Sequence, residues 1–177
     1  MSLAKGGDLM SQTIVPDMVE KSLDVVFEEI ERSGDSPTTG EMRELLSGCQ
    51  MAGNSLDELW RLVGSTLDHG MERKSLTAFV ARCLYVFEQG IKALHMVSER
   101  AARTNLSPED KRSIAAFPEI VNRWTKSRND LKNLLHWLEV PRPITIPASL
   151  HNRKHDPDFE GYIDLQDLER KMLAKET

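Results

Sequence analysis

An all-α fold, an antiparallel bundle of five or six helices, is what this 177-residue sequence predicts. Three observations carry the prediction. Apolar residues recur at i, i+3, i+4 and i+7 through most of residues 16–140, the spacing that lines one face of a helix. The segments with that spacing are separated by short runs of Gly, Pro, Ser and Asn, and short connections favour antiparallel neighbours. No convincing strand pattern and no fixed-period repeat interrupts them. The length suffices for one good core and falls short of two large domains.

Residues 1–15 include Gly6-Gly7 and no long apolar run, so they are expected to form a flexible N-terminus without signal or transit features. The first helix spans 16–33. Its stripe is Val19, Leu23, Val26, Phe27 and Ile30; Pro16 suits its first turn and Gly34 its end. After the turn Ser36-Pro37-Thr38-Thr39-Gly40, a second helix is expected over 41–52, with Met42, Leu45, Leu46 and Cys49 inward and Gly53-Asn54 closing it. Ser55-Leu56-Asp57-Glu58 reads as a capping box opening a third helix, with Leu56, Leu59, Trp60, Val63 and Leu67 inward and Gly70 at its end. The fourth, over 75–103, has the longest stripe, from Leu76 to Ala101, with Gly90 in the middle, where it bends the helix or admits a close neighbour. Ser107-Pro108-Glu109-Asp110 starts the next helix, which meets Pro118. The stripe then resumes through Ile120, Val121, Trp124, Leu131, Leu134, Leu135 and Leu138 to Pro141. The two long helices are expected to pair, with the shorter ones covering them.

Past residue 140 the pattern changes. Pro141, Pro143 and Pro147 hold Ile144-Thr145-Ile146 extended, so 141–155 reads as a Pro-rich linker or arm, and 156–177 as an acidic loop followed by a short helix. Charge is blocked along the chain: net −4 over 16–33, +5 over 121–155 and −4 over 156–177. Such blocks are most simply solvated faces that attract one another. The net charge of −5 argues against a dedicated nucleic-acid binder, despite Arg123, Lys126, Arg128 and Lys132. No apolar run approaches the ~18 residues of a membrane helix, and a cytoplasmic protein is expected.

One segment carries recognisable chemistry. Reading from Asp156, oxygen-bearing residues fall at positions 1 (Asp156), 3 (Asp158), 5 (Glu160), 9 (Asp164) and 12 (Asp167), with Gly161 at 6 and Ile163 at 8. Residues 156–167 resemble the twelve-residue calcium loop of the EF-hand family. The resemblance implies a divalent-cation site in which those five carboxylates and the Tyr162 carbonyl are the ligands. Asp167 in place of the usual bidentate Glu implies weak binding that favours magnesium over calcium. The alternative is an acidic turn in which Asp164 caps a helix beginning at Leu165.

Other chemistry finds little support. No Gly-x-Ser-x-Gly or P-loop occurs, so no catalytic or cofactor-binding residue is assigned. His95/Glu99 and His69/Glu72 have helical spacing for a metal, but lack the repeated Glu-x-x-His of a di-metal bundle. Cys49 and Cys83 are expected to be small buried hydrophobes, and His136 a boundary residue. The expectation is a non-enzymatic interaction or scaffold protein whose partner is another protein or a second copy. The alternative is a small bundle enzyme or ligand carrier with a pocket near Tyr85, His95 and Trp124. A dry centre would favour the first, and a cavity with converging polar groups the second.

Overall fold

The computed structural model describes residues 2–69, 71–139 and 165–176. Among them the chain is all-α, with six helices and no strand: α1 (Ser2–Ser33), α2 (Thr39–His69), α3 (Arg73–Ala101), α4 (Pro108–Ala115), α5 (Phe117–Glu139) and α6 (Leu165–Glu176). The Pro-rich arm expected over 141–155 lies outside the described residues.

The central strut is α3. Its 29 residues make a rod about 43 Å long, and it packs against α1, α2 and α5, most extensively α5. The two helices expected to be the long ones, α3 and α5, therefore pair, but they are not the longest: α1 has 32 residues and α2 31, against 29 and 23. The expected stripe, from Leu76 through Phe79, Val80, Cys83, Phe87, Ile91, Leu94 and Val97 to Ala101, is buried, and Leu84 packs at its edge. Burying one such side chain contributes about 1.5–3 kcal/mol, so the pairing of apolar faces, not helix propensity, holds the bundle.

Arginines join the helices at three points. Arg82 of α3 grips Asp17 (2.9 Å) and Glu20 of α1. Arg100 donates from Nε to the Gly34 carbonyl (3.0 Å), fixing the α1–α2 turn to the far end of α3. Arg73 donates from Nε to the Leu138 carbonyl (3.0 Å), one of the carbonyls that the end of α5 leaves without an intrahelical donor.

Three local expectations change. First, α1 continues upstream of residue 16 and carries Pro16 inside it. A proline there loses one ladder hydrogen bond, and Pro16 is buried while Val15 packs against the core. Second, the expected helices over 41–52 and 55–69 are one helix, α2. Gly53-Asn54 does not end it, because a terminating glycine takes a left-handed conformation and among the described residues only Gly34 does so (φ 70°). Ser55 is no cap. Its Oγ donates to the Met51 carbonyl (3.1 Å), as a mid-helix serine does. The capping box is at Thr38 instead. Thr38 N–H donates to Glu41 Oε1 (3.1 Å) and Glu41 N–H to Thr38 Oγ1 (3.2 Å). Those bonds hold the exposed Glu41 carboxyl below its ordinary pKa. Third, Pro118 does divide the chain. It sits second in α5, where a missing N–H is no loss. Residues 16–140 thus hold five helices, divided differently from the expectation.

Ser107 caps α4 as expected, accepting from the Asp110 N–H (3.2 Å) with Pro108 first in the helix. Leu168 and Met172 of α6 are buried, and Lys171 reaches Asp68 at the end of α2 (3.5 Å). Among the described residues no helix is long and apolar enough to cross a membrane.

Gly64, inside α2, has open space where a Cβ would go. Gly64→Ala is therefore expected to raise stability by about 0.5–1 kcal/mol, read as a higher midpoint in urea. A loss would mean that the position is not helical.

Candidate functional site

The cation-loop positions Asp156, Asp158, Glu160, Tyr162 and Asp164 lie outside the described residues. Asp167, the twelfth position, is described. It lies in the first turn of α6, where Lys171 (2.9 Å) and Arg170 (3.4 Å) hold its carboxylate. The Lys171 hydrogen bond, then its charge and that of Arg170, lower the Asp167 pKa. A cation taken by this side chain has to compete with that lysine. Elsewhere, His95 and Glu99 are exposed on α3, and His69 Nδ1 lies 2.7 Å from the Ser65 carbonyl of its own helix. Among the described residues no group of three His, Cys, Asp or Glu side chains is placed to hold a metal. Of the basic stretch, Arg123 is paired with Asp57 (3.2 Å) and Arg128 with the Asn129 side chain (3.3 Å).

Polar groups converge instead on a cleft of about 400 Å³ where α2, α4 and α5 meet. Trp124 makes its inner wall. The benzo edge of the indole fits between two glycines. A Cβ on Gly53 of α2 would lie 3.5 Å from Cζ2, and one on Gly90 of α3 would lie 3.4 Å from Cζ3. Gly90 thus admits close neighbours, as one of its two sequence readings had it. Gly53, read as a helix stop, is the notch on the opposite side. Gly53, against which the benzo edge packs, also lines the cleft.

Two residues that line the cleft hold a buried polar atom without a hydrogen-bond partner among the described residues, Asp110 Oδ2 and Trp124 Nε1; Trp137 Nε1, away from the cleft, is in the same state. Asp110 and Trp124 are 7% and 3% exposed. Capping explains the Asp110 backbone but not its side chain. A buried polar atom left unpaired costs about 1–3 kcal/mol, and native folds hold few of them. Leu46, Phe117 and Ile120 supply apolar wall, and Arg43, Arg123 and Glu109 bring charge to it.

Cys49 also lines the cleft. Burial pushes its thiol up to about 12 and also raises that of Cys83, so neither is a ready nucleophile. Both are free and buried, as expected from their positions. The unfolded thiols ionise near their ordinary value of about 8.5, while the folded ones keep their protons. Stability is then full below that pH and falls as pH rises toward 12. Comparing alkaline urea midpoints of wild type and Cys49→Ala checks the sign; the wild type should show the steeper decline. Alkylation by iodoacetamide at pH 8 should label neither thiol until the protein unfolds.

The cleft differs from the pocket expected near Tyr85, His95 and Trp124. Trp124 lines it, but Tyr85 and His95 are exposed on α3 and are not part of it. The residues missed were Asp110, which the helix-start reading of Ser107-Pro108-Glu109-Asp110 already accounted for, and Gly53. Compared with protein-family models, curated proteins and solved structures, the chain matches none of them.

Proposed function

We propose that this chain is a non-enzymatic helical binding protein and that the α2–α4–α5 cleft is its recognition site. One observation carries the reading: two residues that line the same cleft hold a buried acceptor, Asp110 Oδ2, and a buried donor, Trp124 Nε1, without a partner among the described residues. A ligand that pairs both recovers the cost of burying them. Two expectations test this. Asp110→Ala should raise the stability of the free protein by about 1 kcal/mol, because the unpaired oxygen goes; a loss would mean the oxygen is satisfied without a ligand. A fragment library screened by NMR on 15N-labelled protein should yield compounds that move the Trp124 indole N–H signal. A library that leaves that signal in place would remove the reading.

A second reading, interaction with another protein, is favoured by Met18, Val25 and Met51, which are 59%, 63% and 68% exposed. Gly48 of α2 faces Val26 of α1. Helical spacing then puts Met18 and Val25 on the outer edge of one helix and Met51 on the adjoining edge of the other. The −4 charge of residues 16–33 repels a second copy and suits a basic amphipathic helix as occupant. A fluorescent Leu/Lys model helix should bind wild type and lose affinity for Met51→Asp; equal affinity would remove this reading.

The acidic loop is a separate proposal: weak magnesium or calcium binding by residues 156–167. Calorimetric titration at millimolar ion should give heat that Asp156→Ala abolishes, and a silent wild type would end it.

A further inference from the structure

The C-terminal helix α6 is held lightly. Among the described residues it buries Leu168 and Met172, four positions apart on one face, whereas α3 buries a stripe running its whole length. Its ion pair to the bundle, Lys171 with Asp68 (3.5 Å), ends on a carboxylate that is 78% exposed, where such a pair is worth little. That pair sets α6 at the end of α2, three residues before Met71. From there a second cleft, about 710 Å³, follows the first turns of α3 past Arg73, Ala78 and Ala81, with Leu138 of α5 as another wall. Of the two α6 anchors only Met172 borders it, so its open part lies beyond the C-terminal half of α6. Arg73 to Ala81 is about 12 Å of helix, and Ala78 and Ala81 are exposed on it. The cleft shares no residue with the α2–α4–α5 cleft.

We propose that this corner, where α2, α3 and α5 meet, is a receptor for an amphipathic helix of a partner protein, and that α6 is the helix that fills it in the free chain. The seated helix gives the chemistry of the occupant. It carries apolar anchors at i and i+4, as Leu168 and Met172 do, and a basic residue beside the second anchor, as Lys171 is, facing Asp68 and the exposed Glu72. It is longer than α6 at its C-terminal end, where added apolar residues cover Ala78 and Ala81. Length decides between occupants. Residues 140–164 tether α6 to α5, and a tether of that kind gives an effective concentration of roughly millimolar. A second copy's α6 makes no contact that the chain's own lacks, so it does not compete below that concentration. A longer partner helix does, because its extra turns bury apolar surface that α6 leaves open.

The test uses the full chain, as wild type and as the double variant Leu168→Asp with Met172→Asp, which releases α6. Two fluorescein-labelled peptides are the probes: the sequence of residues 165–176, and the same sequence lengthened at its C-terminus by two turns with leucines that continue the Leu168 and Met172 stripe. Fluorescence anisotropy should show both binding the double variant, the longer one about threefold tighter or better. Wild type should bind each about tenfold more weakly or worse, because its own α6 competes. The double variant should keep a cooperative urea transition; a variant without one would show that α6 belongs to the core and overturn the proposal. A second measurement needs no variant. Excess longer peptide added to 15N-labelled wild type should move the amide signals of Arg73, Ala78 and α6 together, as displacement requires, and unmoved signals would overturn the proposal too. So would no binding to the folded double variant, equal affinity of wild type and double variant, or equal affinity of the two peptides. Wild type eluting as a dimer at micromolar concentration would make a second copy's α6 the occupant and overturn the assignment to a partner.

Discussion

Trp124→Ala is expected to remove about 3–5 kcal/mol of folding stability. Trp124 is 3% exposed and is the one side chain that touches both glycine notches, Gly53 on α2 and Gly90 on α3, from its place on α5. Removing it joins the cleft to a new void between three helices, and neither Gly53 nor Gly90 has a side chain that can move in to fill it. The surrounding backbones are held by α3–α5 packing, so collapse is limited and the cavity penalty stays near its full value. Trp124→Phe should be far milder, within about 1.5 kcal/mol of wild type, because the lost Nε1–H had no partner. Urea denaturation followed by far-ultraviolet circular dichroism measures both. An alanine variant as stable as the phenylalanine one would mean that the indole is not clamped between the glycines.

Gly90→Val should be the most damaging small substitution, at about 3 kcal/mol. A Cβ at this position would come within 2.6 Å of Leu56 Cδ1 and 3.4 Å of Trp124 Cζ3. Leu56 is itself fully buried, so its methyl has little space to retreat into. Gly90→Ala sets the same clash against about 1 kcal/mol of helix propensity gained. Only the tip of a leucine has to shift, so alanine should be close to neutral. Valine adds two more methyl groups to the same crowded contact. Leu56→Ala made together with Gly90→Val should recover part of the loss, because each relieves the other's strain. Purely additive effects would show that the two residues do not meet.

The buried faces of the helices were legible in the chain itself. From Leu76 to Ala101 the stripe read from spacing alone is the face that α3 buries, with Leu84 alone left at the edge. Ser107 at the start of α4 and Gly34 at the end of α1 were equally legible, since a cap depends on a few neighbouring residues. The punctuation inside α2 was not. Gly53-Asn54 followed by Ser-x-x-Glu looks locally like an end and a beginning, and the same pattern at Thr38 is where the cap forms. Nothing within ten residues of Gly53 announces that an indole from residue 124 packs against it. The cleft was illegible for a related reason: Asp110 had a sufficient local explanation as a first-turn acid, and its unpaired oxygen exists only because α2 and α5 close over it.

By itself, then, the sequence determined that the chain is helical and which face of each segment turns inward. Both follow from the angle between successive residues and from the cost of leaving apolar surface in water, and both act over a few turns of chain. Tertiary structure alone decided whether a glycine stops a helix or receives a ring, and which polar atoms are left wanting a partner. Those outcomes depend on the atoms that a distant helix brings to the spot, and no local pattern contains them.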